Sequence, residues 1–118
     1  MVKVLGVSGR VSGWAAGCAF NPADGARVCG SSTNVASSGG ISGLIHNNRT
    51  MFLAGVFLDN TTPADPAPAR LDVSGANSQA TIAPQLRQTF FMGDGRTDTG
   101  ALQEFVVPAG ATRLFLGF

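Results

Sequence analysis

Tyrosine is absent from the chain, and tryptophan and histidine occur once each. The missing tyrosines exclude the Tyr-lined surface that many recognition modules use. Charge is also scarce: eight basic and seven acidic residues leave a net charge of +1. A balance so close to zero supplies no electrostatic footprint for nucleic acid or for an anionic membrane surface. Seven of the eight basic residues are arginines, scattered from Arg10 to Arg113 without clustering. Long apolar runs are missing too. The longest, Met51 to Leu58, spans eight residues, far short of the roughly 20 that a membrane-spanning helix needs. Residues 1–13 contain one lysine and no unbroken apolar stretch, so they do not read as a signal peptide. No repeat of 20–50 residues is visible in the sequence.

Sixteen glycines and six prolines break the sequence into short pieces. Each glycine in a helix interior costs about 1 kcal/mol relative to alanine, so long helices are excluded. With 44% hydrophobic residues the chain can still bury a core. Its 118 residues fit one domain, residues 1–118. Together these features predict a compact all-β domain, an antiparallel β-sandwich of short strands and Gly-rich turns.

Strands are expected at Val2–Val7, Val11–Ala16, Ile41–Ile45, Thr89–Met92, Leu102–Val107 and Thr112–Phe118. Met51–Leu58 reads as a central strand apolar on both faces. Residues 17–40, 59–70 and 93–100 read as loops, punctuated by Asn21-Pro22, Asp24-Gly25 and three prolines. In the last strand Leu114, Leu116 and Phe118 alternate with Arg113, Phe115 and Gly117, which marks the Leu face as core. The sequence stops inside that strand, so strands of a larger parent domain are expected to be missing. Open sheet edges would then lead to a homo-oligomer through Val2–Val7 or Thr112–Phe118.

Catalytic patterns are missing. There is no Gly-x-Ser-x-Gly elbow, and His46 lies in an Asn-rich hairpin loop, where a solvent-facing turn residue is expected. No constellation supports an enzyme. Asn47 and Asn48 can bind a sugar hydroxyl or cap a turn, and capping fits better. Trp14 can stack on a sugar but is expected in the core. Asp94 and Asp98 make half of a calcium loop, with Arg96 as a competing cation. A Gly-rich turn in which Asp side chains accept backbone N–H groups fits these residues better. Cys18 and Cys29 lie eleven positions apart in a loop. A bridge between them would contribute roughly 3 kcal/mol in the chain-entropy account. The Gly/Asn/Ser-rich surroundings favour that disulfide over the alternative of two reduced thiols. Zinc is poorly served by two thiols and one distant histidine.

Two segments carry a more specific likeness. Gln88–Thr97 (QTFFMGDGRT) and Phe105–Phe118 (FVVPAGATRLFLGF), with Met51–Leu58 and Gly40–Gly43, resemble a domain of exported bacterial proteins that often carry a PEP-CTERM sorting tail. Through Gly13-Trp14-Ala15 and the closing strand, that domain resembles the LecA-type calcium-dependent galactose-binding lectins. The resemblance implies a lectin-like β-sandwich that is secreted or held at the cell surface. It also implies a Ca²⁺ ion that binds protein and carbohydrate together, most of its ligands lying past the closing strand. Within this sequence it implies the main-chain carbonyl near Gly17 as one ligand. Asp94 and Asp98 are the side-chain candidates.

Overall fold

The structure, a computed structural model, describes residues 1–13, 17–27, 30 and 32–118. The chain is nearly all β: ten short strands and a single 3₁₀ turn at Ala76–Ser78 among the described residues. In chain order the strands are β1 (Val11–Ser12), β2 (Phe20–Asn21), β3 (Thr33–Val35), β4 (Leu44–His46) and β5 (Ala54–Leu58). They continue with β6 (Leu71–Asp72), β7 (Thr81–Ile82), β8 (Phe90–Phe91), β9 (Glu104–Phe105) and β10 (Arg113–Gly117). They form four small sheets: β1-β2, β10-β5-β8, β3-β4-β6 and β7-β9. No described helix is long and apolar enough to cross a membrane.

The expected central strand is central, between β10 and β8. Its ladder with β10 runs through five pairs, from Arg113–Leu58 to Gly117–Ala54. Side chains alternate across this sheet. Gly55 and Phe57 therefore point to one face, and Ala54 and Val56 to the other. The first face is packed at β5 and β8: the Phe57 and Phe90 rings stack with centroids 5.3 Å apart, and Phe90 meets Phe105 of β9 at 5.6 Å. Gly55 is required here, because a Cβ at that position would stand 2.7 Å from Cζ of Phe90. On the other face Phe91 packs on Phe52 at 5.2 Å and on His46 of β4 at 6.0 Å. Consecutive residues of β8 thus join the central sheet to β9 on one side and to β4 on the other. Leu44, Leu53, Val73, Ile82 and Met92 complete the core.

Several expectations need correction. Val2–Val7 is not a strand: only Val2 pairs, exchanging two backbone hydrogen bonds with Phe105. The strand expected at Val11–Ala16 is described only as β1; Trp14, Ala15 and Ala16 lie outside the described residues. Two pairings, β4-β6 and β7-β9, run parallel within the otherwise antiparallel set. Each joins strands separated by long crossovers, the condition parallel pairing requires. The second face of β5 is only half covered, since Ala54 and Val56 remain partly accessible. The final strand departs most from expectation, because every residue of β10 is exposed. Leu114 and Leu116 do share the face of Phe57 and Gly55, as the alternation requires. At the sheet edge, however, they are only partly covered, Leu114 being 36% and Leu116 55% exposed.

The proline-containing segment 59–70 is an ordered loop. Arg87, at φ 65°, donates from Nη1 to the carbonyls of Gly40, Ala64 and Pro66. Asp65 accepts the Gly40 amide, and Gln88 donates to the carbonyl of Ala69. These bonds anchor the loop to the end of β8.

Candidate binding site

His46 is the residue that the sequence reading misplaced most. It is not a solvent-facing turn residue. It ends β4 with only 1% of its surface exposed, paired in register with Thr33 of β3. The alternation of β4 accounts for this, since Leu44 and His46 occupy the same buried face. The imidazole packs against Phe52 at 5.3 Å and meets Phe91 edge-on. Its Nδ1 accepts the backbone N–H of Asn48 at 3.2 Å. In the neutral ring the proton therefore sits on Nε2, which becomes a donor. Nε2 has no partner among the described residues. Burial holds the His46 pKa below its usual 6.5, and the Arg49 guanidinium adds to the effect. Asp72 and the neighbouring Asn77 side chain, which lies outside hydrogen-bonding geometry with Nε2, act in the opposite sense.

Asn77 sits in the 3₁₀ turn and is also buried, with its Nδ2 unpartnered. Its carbonyl accepts the Asp98 amide at 2.8 Å, which brings the 93–100 loop to this place. His46 and Asn77 underlie an open cleft of about 510 Å³. Arg27, Asn48, Arg49, Ser78 and Asp98 contribute to its walls. Arg27 donates from Nε to the Asn48 carbonyl at 3.2 Å and from Nη2 to Asn48 Oδ1 at 2.7 Å. Arg49 donates from Nη1 to the Asp24 carbonyl at 3.2 Å, and its Nη2 lies 3.9 Å from Asp98. Each buried donor left without a partner costs about 1–3 kcal/mol. The two side chains neighbour each other beneath the cleft, and neither makes a well-formed hydrogen bond from Nε2 or Nδ2 among the described residues.

The residues singled out in the sequence fare differently. Asp94 and Asp98 share their loop, but only Asp98 reaches the cleft. Asp94 Oδ1 accepts the Arg96 N–H at 2.8 Å, in the turn expected from Gly93 and Gly95. The Asp94 amide in turn donates to Asp24 Oδ1 at 2.9 Å. Gly93 is required by that contact, since at φ 56° its Cβ would collide with the same oxygen. Burial pushes the Asp24 carboxyl above its usual value; the Asp94 backbone N–H and the Arg49 guanidinium oppose this, and the like charges of Asp94 and Asp98 add to it. Gly17 occupies an exposed turn at φ 88°. Among the described residues no group of three or more His, Cys, Asp or Glu side chains is placed to hold a metal ion. The expected capping by Asn47 or Asn48 is not what the bonds show: Asn48 Oδ1 accepts from Arg27, its amide donates to His46 Nδ1, and the Asn47 amide donates to Ser74 Oγ. Cys18 is not a free thiol. Cys29 lies outside the described residues, and the expected Cys18–Cys29 pairing lies outside them too.

The sequence reading passed over Arg27, Arg49 and Asn77. Nothing local distinguishes them, because β4, the 3₁₀ turn and two loops assemble them from distant positions. A second, apolar groove of about 360 Å³ lies where β3 and β4 face β5 and β10, with Val35, Leu44, Val56, Phe115 and Phe118 among its lining residues. Set against known proteins, the chain matches no family model, no curated protein and no solved structure.

Proposed function

We propose that the chain is a non-catalytic, lectin-like carbohydrate-binding module of an exported bacterial protein, and that the His46–Asn77 cleft receives the sugar. The observation that carries this reading is the pair of buried, unpartnered donors beneath an open polar cleft. Sugar hydroxyl and ring oxygens accept such hydrogen bonds, and the recovered bonds would favour binding. The low charge and the stacked small sheets suit a lectin-like sandwich in an extracellular protein. Through the resemblance to the galactose lectins, calcium dependence belongs to the complete parent domain. The test is an amide chemical-shift titration with a panel of monosaccharides. Shifts at Ala26, Asn48 and Ser78, weakened by Asn77→Ala, support it. A panel that leaves those amides unmoved overturns it.

A second reading is self-assembly through β10. It is favoured by the exposure of Leu114, Phe115, Leu116 and Phe118 on an edge strand whose outer backbone side is unpaired among the described residues. A second copy could add its own β10 to that edge. Sedimentation of the wild type against Leu116→Lys tests it. A concentration-dependent dimer weakened by the lysine supports assembly, and a monodisperse monomer at high concentration ends it.

A further inference from the structure

We infer that the cleft selects sugars bearing a carboxylate, uronic acids, over their neutral counterparts. The inference rests on the cleft being the carbohydrate site. Its chemistry is one-sided. Nε2 of His46 and Nδ2 of Asn77 are donors, and both are unpartnered. The guanidinium groups of Arg27 and Arg49 add further N–H donors and two positive charges. Against them stands one carboxylate among the lining residues, Asp98. A neutral hexose brings hydroxyl protons that need acceptors, which Asn48, Ser78 and Asp98 supply in part. A carboxylate brings acceptors alone, and it can engage the N–H groups that Arg27 and Arg49 leave unspent.

Asp98 marks where that carboxylate would sit. Its oxygen is 3.9 Å from Nη2 of Arg49, the outer limit of an ion pair, and 59% of its side chain is exposed. A contact this long and this wet contributes little. The Asp98 side chain can therefore swing into solvent and yield Nη2 to a ligand. Arg49 itself is held in place by its bond to the Asp24 carbonyl. Arg27 is likewise fixed by two bonds to Asn48, which leave its Nη1 free of intramolecular partners among the described residues. Two guanidinium groups anchored through part of their donors are preorganised, and the planar fork of arginine matches a planar carboxylate.

Amide chemical-shift titrations of the 118-residue chain with glucuronate and galacturonate, against glucose, galactose and galactose 6-sulfate, provide the test. Uronates are expected to bind about tenfold tighter than the matching hexoses, and tighter than the sulfate ester. Added salt should weaken the uronates and leave the hexoses unaffected. Arg27→Gln and Arg49→Gln should each remove most of the uronate preference. Asp98→Asn, which takes away the internal competitor, should tighten uronate binding about threefold. That gain cannot arise from a damaged fold. Hexoses binding in the cleft as tightly as uronates would overturn the selectivity and leave the carbohydrate reading standing. So would a sulfate ester that binds tighter than the uronate. A cleft that answers to no sugar would overturn both.

Discussion

Leu114 stands directly opposite Phe57 in the β5–β10 ladder and shares its face, yet Phe57 is 3% exposed and Leu114 is 36% exposed. The difference lies in what covers them. Phe57 stacks on Phe90 inside the core, whereas Leu114 stands on the sheet's last strand. Phe57→Ala should cost about 3–5 kcal/mol, because it opens a cavity among aromatic rings that cannot collapse. Leu114→Ala should cost less than about 1 kcal/mol, since water already reaches the site. Urea denaturation at low protein concentration measures both. Comparable losses at the two positions would show that Leu114 is covered in solution, and would favour assembly through β10.

The same pair shows how far the sequence could be read. Alternation alone placed Leu114 and Leu116 on the core side of their strand, and the ladder agrees. Alternation cannot say whether another layer lies over that side, because coverage depends on distant segments. His46 shows the converse. The Leu44–His46 alternation carried the signal for burial, but the Asn-Asn-Arg that follows drew the histidine into the turn. The strands expected at Thr89–Met92 and Leu102–Val107 are present in shortened form, as Phe90–Phe91 and Glu104–Phe105. The parallel β4-β6 and β7-β9 pairs were not, since two-residue strands leave no periodic pattern. The cleft was the least legible part. Its residues come from β4, the 3₁₀ turn and two loops, and no linear spacing relates them.

The cysteines offer a check on compartment. Protein made in an oxidising compartment, then unfolded without reduction, should show no titratable thiol. Reduction should lower stability by roughly 3 kcal/mol, as expected for closing a loop of this size. Two reactive thiols in the unfolded protein would count against both the bridge and export.

Calcium should bind this chain only weakly. A Ca²⁺ site gathers 6–8 oxygens, and the 93–100 loop offers only two carboxylates. Asp94 accepts the Arg96 amide, and Asp98 faces a guanidinium. Arg49 and Arg96 also repel a dication. Calorimetric titration of chelator-treated protein should find no micromolar affinity, and neither Asp94→Asn nor Asp98→Asn should alter the trace. A micromolar site abolished by either substitution would reverse this expectation and place the ion in that loop.

Stability should fall as pH drops below neutrality, and His46 sets the first window. Its folded pKa is held below 6.5 by burial first and Arg49 second. Between that lowered value and 6.5 the unfolded chain therefore binds more protons than the folded one. The His46 contribution is fully present above 6.5 and is lost as pH falls through the folded pKa. Protonation would also place a hydrogen on Nδ1, where the Asn48 amide now donates. Asp59 and Asp72 act in the same sense at lower pH. Thr61 and Ser74 hydrogen bonds hold their pKa values below 3.8, so their contributions are present above that value and fade beneath it. Asp24 opposes them. Its pKa is raised by burial, so its contribution is complete below 3.8 and is lost as pH rises through the folded value. From about pH 7 to about pH 5 the histidine window is dominant. The urea midpoint of the wild type should decline across this range, and that of His46→Gln should stay nearly flat. A flat wild-type profile would mean that His46 titrates alike in the folded and unfolded chains, and would overturn the role given to its burial against Phe52 and Phe91.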